Sequence, residues 1–146
     1  MVEDISLREI QIPDTRLIKK FLDDAPESIK SFRYFENRPL NIISNHLKTI
    51  IAIYKDIPVG YGHLDKELNN VWFGIAVSDN FKGKGIGRKI MKYLVDYADY
   101  VGLIELKLSV DLDNVIAIKM YKKIGFVVEE KLQTNVLIMK RNKNGV

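Results

Sequence analysis

A glycine-rich stretch, 81–88, has the residue types with the clearest chemical use in this sequence. Glycine at positions 83, 85 and 87 lets the main chain approach a bound group closely. A segment with strong helical periodicity follows, and a helix N-terminus offers unpaired N–H groups and partial positive charge. Lys82, Lys84 and Arg88 add charge at the rim. The pattern predicts a site for a phosphate group.

Two well-known phosphate loops do not fit this stretch. The Walker pattern G-x-x-x-x-G-K-[ST] is absent. The dinucleotide pattern G-x-G-x-x-G fails because Arg88 stands where its last glycine is needed, and no acidic residue closes a following parallel strand. A flexible glycine turn with solvated lysines is the remaining alternative, although three alternate glycines before a strong helix exceed what a turn requires.

The elements that must position this stretch follow from hydrophobic periodicity, which predicts the order β-α-α-β-β-β-α-β-α-β-β. This order indicates an α/β or α+β fold with a mixed sheet. The three strands between 49 and 77 are joined by turns too short for crossovers, so they form an antiparallel meander. Predicted strands cover 5–10, 49–54, 59–64, 71–77, 103–110, 126–130 and 136–139, and predicted helices cover 13–25, 26–38, 86–101 and 114–124.

Composition favours one globular domain over residues 1–146, with 47% hydrophobic and 29% charged residues. The absence of cysteine excludes disulfides, thiolate metal sites and a cysteine acyl-enzyme. An N-terminus without an apolar signal core and the lack of a membrane-spanning run predict a cytoplasmic protein without a membrane partner. The net charge of +4 is local and lacks interleaved aromatic residues, so we expect no nucleic-acid partner. A homodimer is compatible with the sequence.

Two motifs resemble those of the GCN5-related N-acetyltransferase (GNAT) superfamily. The stretch 77–87, V-S-D-N-F-K-G-K-G-I-G, is similar to the central motif [QR]-x-x-G-x-[GA]. The stretch 114–126, N-V-I-A-I-K-M-Y-K-K-I-G-F, resembles the later motif N-x-x-A-x-x-x-Y-x-K-x-G-F, in the right order and separation. One departure is Lys82, where the family usually has Gln or Arg. Lysine keeps the charge but loses the guanidinium fork, so phosphate geometry there is expected to be looser.

The resemblance implies a GNAT fold, a mixed and mostly antiparallel sheet of about seven strands with about four helices and a splayed central strand pair. It also implies acetyl-CoA as cosubstrate, without a metal. Backbone groups of Ile75 and Val77 would bind the pantetheine arm as an added half-strand. The remaining cofactor-binding residues would be the cradle and one later polar residue: Lys82, Gly83, Lys84, Gly85, Ile86, Gly87, Arg88 and Asn114.

For the chemistry, the resemblance assigns Tyr121 as the acid that protonates the departing sulfur; an ordinary core tyrosine is the alternative. The family often places its base at the start of strand 71–77, where Val71 and Phe73 cannot accept a proton. If 66–70 is a five-residue turn, Asp65 pairs with Val71 and His63 with Phe73, on the same sheet face. His63 and Asp65 are therefore candidate catalytic residues. A structural histidine and a water chain serving as base are the alternatives.

Acceptor specificity is expected from the aromatic and basic segment 31–39. Arg33, Tyr34 and Trp72 are the candidate substrate-binding residues, suited to stacking on a ring and pairing with an anion, as in a nucleotide-linked amino sugar. The alternative is that Phe32 and Phe35 are core residues and the arginines are solvated. The leading hypothesis is acetylation of a small-molecule amine by direct transfer in a ternary complex. The alternatives are a protein or peptide N-acetyltransferase and a non-catalytic acyl-CoA-binding regulator.

Overall fold

The computed structural model, described for residues 4–12, 14–24 and 32–143, contains one seven-stranded sheet in the order β1-β2-β3-β4-β5-β7-β6. All neighbouring strands are antiparallel except β4 and β5. The strands are β1 (Ile5–Glu9), β2 (His46–Tyr54), β3 (Ile57–Glu67), β4 (Asn70–Val77), β5 (Glu105–Asp111), β6 (Val127–Lys131) and β7 (Val136–Asn142). The predicted mixed, mostly antiparallel sheet is confirmed.

The α-helices in the described part of the chain are α1 (Arg16–Asp24), α2 (Ile86–Tyr100) and α3 (Val115–Lys123). The first part of the helix predicted over 26–38 falls in 25–31, outside the described residues. In its later part the chain forms a short 3-10 helix, Tyr34–Glu36. Leu40–Asn45 forms a second 3-10 helix. No helix among the described residues has the length and apolar character needed to cross a bilayer.

The connection between β3 and β4 differs from the predicted five-residue turn. Leu68 adopts a positive φ of 54°, and the strands continue to the pair formed by Glu67 and Asn70. The shorter turn shifts the register by one residue, so His63 pairs with Gly74 and Asp65 with Trp72. The predicted pairs with Phe73 and Val71 are therefore wrong. A shift of one residue moves a side chain to the opposite sheet face.

Two layers cover the sheet. On one face, α2 packs so closely on β3 that a β-carbon at Gly62 would lie 2.5 Å from Cγ2 of Ile90. Phe73 and Tyr121 belong to the core on this face. On the other face, Ile18 and Phe21 of α1 pack with Tyr61 and Ala76. His63 and Asp65 lie on the α1 face, because side chains alternate along β3 and Tyr61 lies there.

The central strands β4 and β5 separate. One residue pair, Trp72 with Lys107, joins them in the described part of the chain. β4 continues to Val77 without further pairing to β5. The sheet therefore has an opening between its two covered faces, as the predicted splayed strand pair requires.

Candidate functional site

A cavity of about 1260 Å³ lies at the opening between β4 and β5. Its walls come from both sheet faces, from the glycine-rich stretch and from α3. Among the residues predicted for the site, Lys84 is exposed and is not part of the lining. The others line the cavity: Arg33, Tyr34, His63, Asp65, Trp72, Ile75, Val77, Lys82, Gly83, Gly85, Ile86, Gly87, Arg88, Asn114 and Tyr121.

The glycine-rich stretch forms a concave turn before α2. Gly83 and Gly85 have φ values of +77° and +85°, which L side chains rarely adopt. The first helical hydrogen bond runs from Lys89 N to Gly85 O at 3.1 Å, so the amides of the preceding turn have no intrahelical acceptor. A β-carbon at Gly83 would meet nothing within 4 Å, which means that the turn faces open space. The turn therefore fits a pyrophosphate.

Lys82 begins this turn, and both its backbone N–H and its side chain have a partner. Its backbone N–H donates to Asp79 O at 3.3 Å, and its ammonium group pairs with Asp79 Oδ1 at 2.9 Å. The ammonium remains more than half exposed. Lys82 can therefore add charge to the cavity, while its amide is used within the turn.

Tyr121 lies on α3 beneath the opening. It is 6% exposed and contacts Phe73 and Phe126 edge-on, with ring centroids 6.1 and 5.9 Å apart. Burial raises the pKa of its hydroxyl above the ordinary 10, so the hydroxyl keeps its proton at neutral pH. Among the described residues its hydroxyl has no hydrogen-bond partner, and the residue lines the cavity. Tyr121 is thus a protonated donor available to a bound group.

Asn114 has the predicted capping role at the start of α3. Its side-chain Oδ1 accepts a hydrogen bond from Ala117 N at 3.3 Å. Because this bond fixes the first turn of α3, it also fixes the direction from which Tyr121 approaches the opening.

A chain of hydrogen bonds reaches Asp65 on the α1 face. The Tyr34 hydroxyl donates to Asp65 Oδ2 at 2.6 Å and lies 2.7 Å from His46 Nε2. Since the tyrosine proton is directed at the carboxylate, its oxygen accepts from Nε2–H of His46. Nδ1 of the neutral His46 ring then accepts from the Thr49 hydroxyl at 2.7 Å. All the protons in this chain point toward Asp65.

His63 has a separate partner. Its Nδ1 lies 2.7 Å from the hydroxyl of Tyr61, and both residues are fully or almost fully buried. Burial is the main cause that lowers the pKa of His63 well below 6.5, and it also lowers the pKa of His46, to about 4. Both rings are therefore neutral at pH 7. If the Tyr61 hydroxyl is to be satisfied, it donates to Nδ1, and Nε2 of His63 carries the proton on the Gly74 side.

The two arginines of the segment 32–38 are already ion-paired. Arg33 Nη2 lies 3.0 Å from Asp111 Oδ1, and Arg38 Nη2 lies 3.1 Å from Glu67 Oε1. Arg38 also stacks on the Tyr34 ring at 4.3 Å and donates to the Tyr34 carbonyl. Neither arginine is simply solvated, and each has a carboxylate beside it.

With this arrangement in place, residues 6–126 match the family model described as Acetyltransferase (GNAT) family. The chain belongs to the GNAT acetyltransferase family. The resemblance stated for the two motifs is confirmed, and the splayed strands, the glycine turn and α3 are its GNAT elements. Within the described residues there is no group of three or more side chains that could hold a metal ion.

Curated relatives share parts of this GNAT domain. Spermidine N(1)-acetyltransferase of Escherichia coli K12 is 35% identical over 85 residues, which are 55% of this chain and 46% of the relative. The ribosomal protein bS18 alanine N-acetyltransferase of Salmonella typhimurium is 37% identical over 54 residues, 37% of this chain and 36% of the relative. The matches span less than half the length of these relatives.

Solved GNAT structures share the whole fold. The PaiA N-acetyltransferase of Thermoplasma acidophilum, solved in complex with coenzyme A, has a TM-score of 0.74. The similarity covers 94% of this chain and 98% of that chain, at 22% sequence identity. At this identity the comparison establishes the shared GNAT fold.

Sequence reasoning missed three polar residues that support the cavity lining of this GNAT domain through hydrogen bonds, namely His46, Thr49 and Tyr61. A signal existed for two of them, since Tyr61, His63 and Asp65 alternate along one strand and the sequence has only one histidine besides His63, namely His46. Thr49 is the strand partner of His63, which becomes visible only once the register of β2 and β3 is known.

Proposed function

We propose that this protein transfers an acetyl group from acetyl-CoA to the primary amine of a small molecule, directly within a ternary complex. The opening between β4 and β5 is the main support, because the cavity there joins the cradle of helix N-terminal amides to the polar, ring-lined region on the α1 face. Two reactants entering from opposite faces would meet at the opening.

The cosubstrate would be held by the cradle and the β4 edge. The unpaired amides at the start of α2 suit its pyrophosphate, with added charge from Lys82 and Arg88. The backbone near Ile75 and Val77 lies where β4 has left β5, which suits a peptide-like arm added as a half-strand. When bound, acetyl-CoA supplies the activated acetyl thioester.

Tyr121 would donate its proton to the sulfur as the thioester bond breaks. Its pKa, raised by burial, keeps the hydroxyl protonated until the departing sulfur needs a proton. The chain contains no cysteine, so no protein thiol takes the acetyl group, and direct attack by the amine is the simplest path.

The amine must lose a proton during the reaction, and His63 and Asp65 are our candidate acceptors. Burial lowers the pKa of His63 well below 6.5, and its Nδ1 already accepts a hydrogen bond from Tyr61, so His63 is the weaker candidate. Asp65 lines the cavity and would receive the proton directly or through a water molecule. The hydrogen bonds from Thr49 through His46 and Tyr34 end on Asp65 and would hold that carboxylate in one orientation.

A small acceptor agrees with the enclosure around Asp65, which is 3% exposed. Tyr34 and Arg38 cover it from the segment that precedes β2, and Trp72 lies opposite it on β4. The curated relatives are named for spermidine, a small amine, and for a ribosomal protein, so both kinds of acceptor occur in this family. The enclosure favours the first kind, and an amino sugar is one of the amines to be tested.

The decisive experiment combines acetyl-CoA binding with a panel of acceptors. Acetyl-CoA should raise the melting temperature, and at least one small amine should accelerate release of free thiol. The panel should hold alkyl amines, polyamines, amino acids, amino sugars and a peptide with a free N-terminal alanine. Absence of any acetyl-CoA stabilisation would contradict the proposal at its first step. Binding without amine-dependent thiol release would instead favour a non-catalytic regulator, and activity on the peptide alone would favour a protein acetyltransferase.

A further inference from the structure

Asp65 is a buried carboxylate with an incomplete set of partners. It is 3% exposed, and it accepts one hydrogen bond, from the Tyr34 hydroxyl to Oδ2. Within the described residues, the side chain of Asp65 has no ion pair and no second hydrogen bond, and no buried polar side-chain atom lacks a partner. Its other oxygen is therefore reached from the cavity that Asp65 lines. Since buried carboxylates require compensation, this oxygen is suited to a ligand of opposite charge.

The surroundings of Asp65 are aromatic. Trp72 is its direct strand partner, so both side chains rise from the same face with β-carbons about 5 Å apart. The Tyr34 ring lies 4.3 Å from the ring of His63, and the Phe32 ring lies 6.2 Å from that of Tyr34. Aromatic faces attract cations, most strongly those of tryptophan and tyrosine. A carboxylate among such rings suits an ammonium group.

The charges of this region also disfavour an anionic acceptor. We call it the acceptor chamber, and it consists of Phe32, Arg33, Tyr34, Arg38, His63, Asp65, Glu67, Trp72 and Asp111. Its guanidinium groups, on Arg33 and Arg38, are paired with Asp111 and Glu67. Both histidines near Asp65 have a lowered pKa and are neutral at pH 7. Asp65 is thus the acid of the acceptor chamber without a basic partner among the described residues.

The other end of the cavity has the opposite charge. Four basic residues line it near the glycine turn and α3, namely Lys82, Arg88, Lys119 and Lys123. An anionic group would be attracted to that end, where we place the cosubstrate phosphates. The cavity therefore separates an anion-binding end from a cation-binding end.

We propose that Asp65 binds the ammonium group of the acceptor, and that the acceptor is an organic cation that carries no anionic group. Alkyl amines, diamines and polyamines belong to this class, whereas amino acids and nucleotide-linked amino sugars do not. The inference rests on the proposed function, because that function makes the bound cation the acetyl acceptor. Binding of the cation itself can be measured without any acetyl transfer.

Trp72 is the single tryptophan of the chain, so its fluorescence reports directly on the acceptor chamber. The protein saturated with coenzyme A should be titrated with three probes of equal chain length: n-butylamine, 1-butanol and 4-aminobutanoate. We expect n-butylamine to change the emission at concentrations at least about tenfold lower than either other probe. Equal responses to the amine and the alcohol, or tighter binding of 4-aminobutanoate, would overturn the proposal.

Asp65→Asn keeps the shape and removes the charge. We expect it to weaken n-butylamine binding by about 30-fold or more, as loss of one member of a buried charge pair does. Asp96→Asn, which alters an exposed acid of α2 paired with Lys92, should leave binding unchanged. Unchanged binding in Asp65→Asn would overturn the proposal. If that variant does not fold, the comparison of the three probes on the parent protein still decides the matter.

Two further measurements separate this inference from the proposed function. Stabilisation by coenzyme A tests the cradle, and thiol release tests transfer, while the Trp72 titration tests the cation site. A cation response without thiol release would leave the cation site standing and contradict the transfer activity. Thiol release with 4-aminobutanoate as efficient as with n-butylamine would support the transfer activity and contradict the proposed cation site.

Discussion

The imidazole of His63 fills the space that a β-carbon on Gly74 would occupy. Cε1 of the ring would lie 2.6 Å from such a carbon, far inside van der Waals contact. The two residues are strand partners on β3 and β4, so neither can move away without disturbing the sheet. His63 therefore requires a residue without a side chain at position 74, and the packing of this pair fixes the position of the His63 ring in the acceptor chamber.

Gly74→Ala should destabilise the protein by about 1–3 kcal/mol, the usual cost of overpacking a filled site. The cost should be much smaller in a His63→Ala background, because the atoms that the new methyl group meets are gone. Urea unfolding of the four proteins in this cycle gives the coupling energy.

Gly62→Ala is the matched control for that cycle. Gly62 lies on β3, the strand of His63, and its new methyl group would meet Ile90 and Leu94 of α2 on the opposite sheet face. Its cost should not change when His63 is replaced. A Gly74→Ala penalty that is equally insensitive to His63 would show that the clash is not with the imidazole.

Tyr121→Phe should reduce turnover by about 10²–10⁴-fold while leaving the affinity for coenzyme A nearly unchanged, since it removes the proton donor and keeps the ring packing. Steady-state thiol release and a coenzyme A titration provide the two quantities. Tyr100→Phe, at a tyrosine that is 89% exposed, is the control. An unchanged turnover in Tyr121→Phe would remove the acid role and leave Tyr121 as a core residue.

Gly85→Glu should abolish coenzyme A binding, because it places a bulky negative group in the phosphate cradle. The backbone at Gly85 has a φ of +85°, so any side chain there also adds strain of about 1–2 kcal/mol. Gly102→Glu is the control, because it adds the same charged side chain at a glycine with a φ of +83°, at the other end of α2. Calorimetric titration should show binding lost in the first variant alone. Equal losses in both variants would point to a general folding defect.

Acidification should destabilise the protein between pH 6.5 and about pH 4. Burial lowers the folded-state pKa of His46 to about 4 and that of His63 well below 6.5, so between these values the unfolded chain binds more protons. Stability is then fully present above pH 6.5 and is lost as the pH falls. Urea midpoints at pH 7 and pH 5 should differ, and His46→Gln should reduce the difference. Identical midpoints in the parent protein would show that the histidines are not held neutral by the fold.

Local sequence patterns determined much of the fold and the proposed cofactor half of the candidate site. Alternate glycines before a helical repeat predict an anion cradle because glycine freedom and unpaired helix amides are local properties, and Gly83 and Gly85 do have positive φ values. Asn114 as a helix cap was predictable for the same reason, since its partner Ala117 lies within one turn. Periodicity predicted the succession of the seven strands and the helices α1, α2 and α3, whereas the described part of the helix predicted over 26–38 contains only the 3-10 helix Tyr34–Glu36.

The acceptor half depended on the tertiary structure. The turn with Leu68 at positive φ is shorter than predicted, and the resulting one-residue shift places His63 and Asp65 on the opposite sheet face from Val71 and Phe73. Register depends on cross-strand packing and turn geometry, which a single strand does not encode. The hydrogen bonds that join Tyr34 to His46 and Asp65 connect three separate segments, and only folding brings them within 3 Å. The sequence alone therefore located the proposed phosphate cradle, and the assembled sheet decided which residues lie on the proposed acceptor side of the opening.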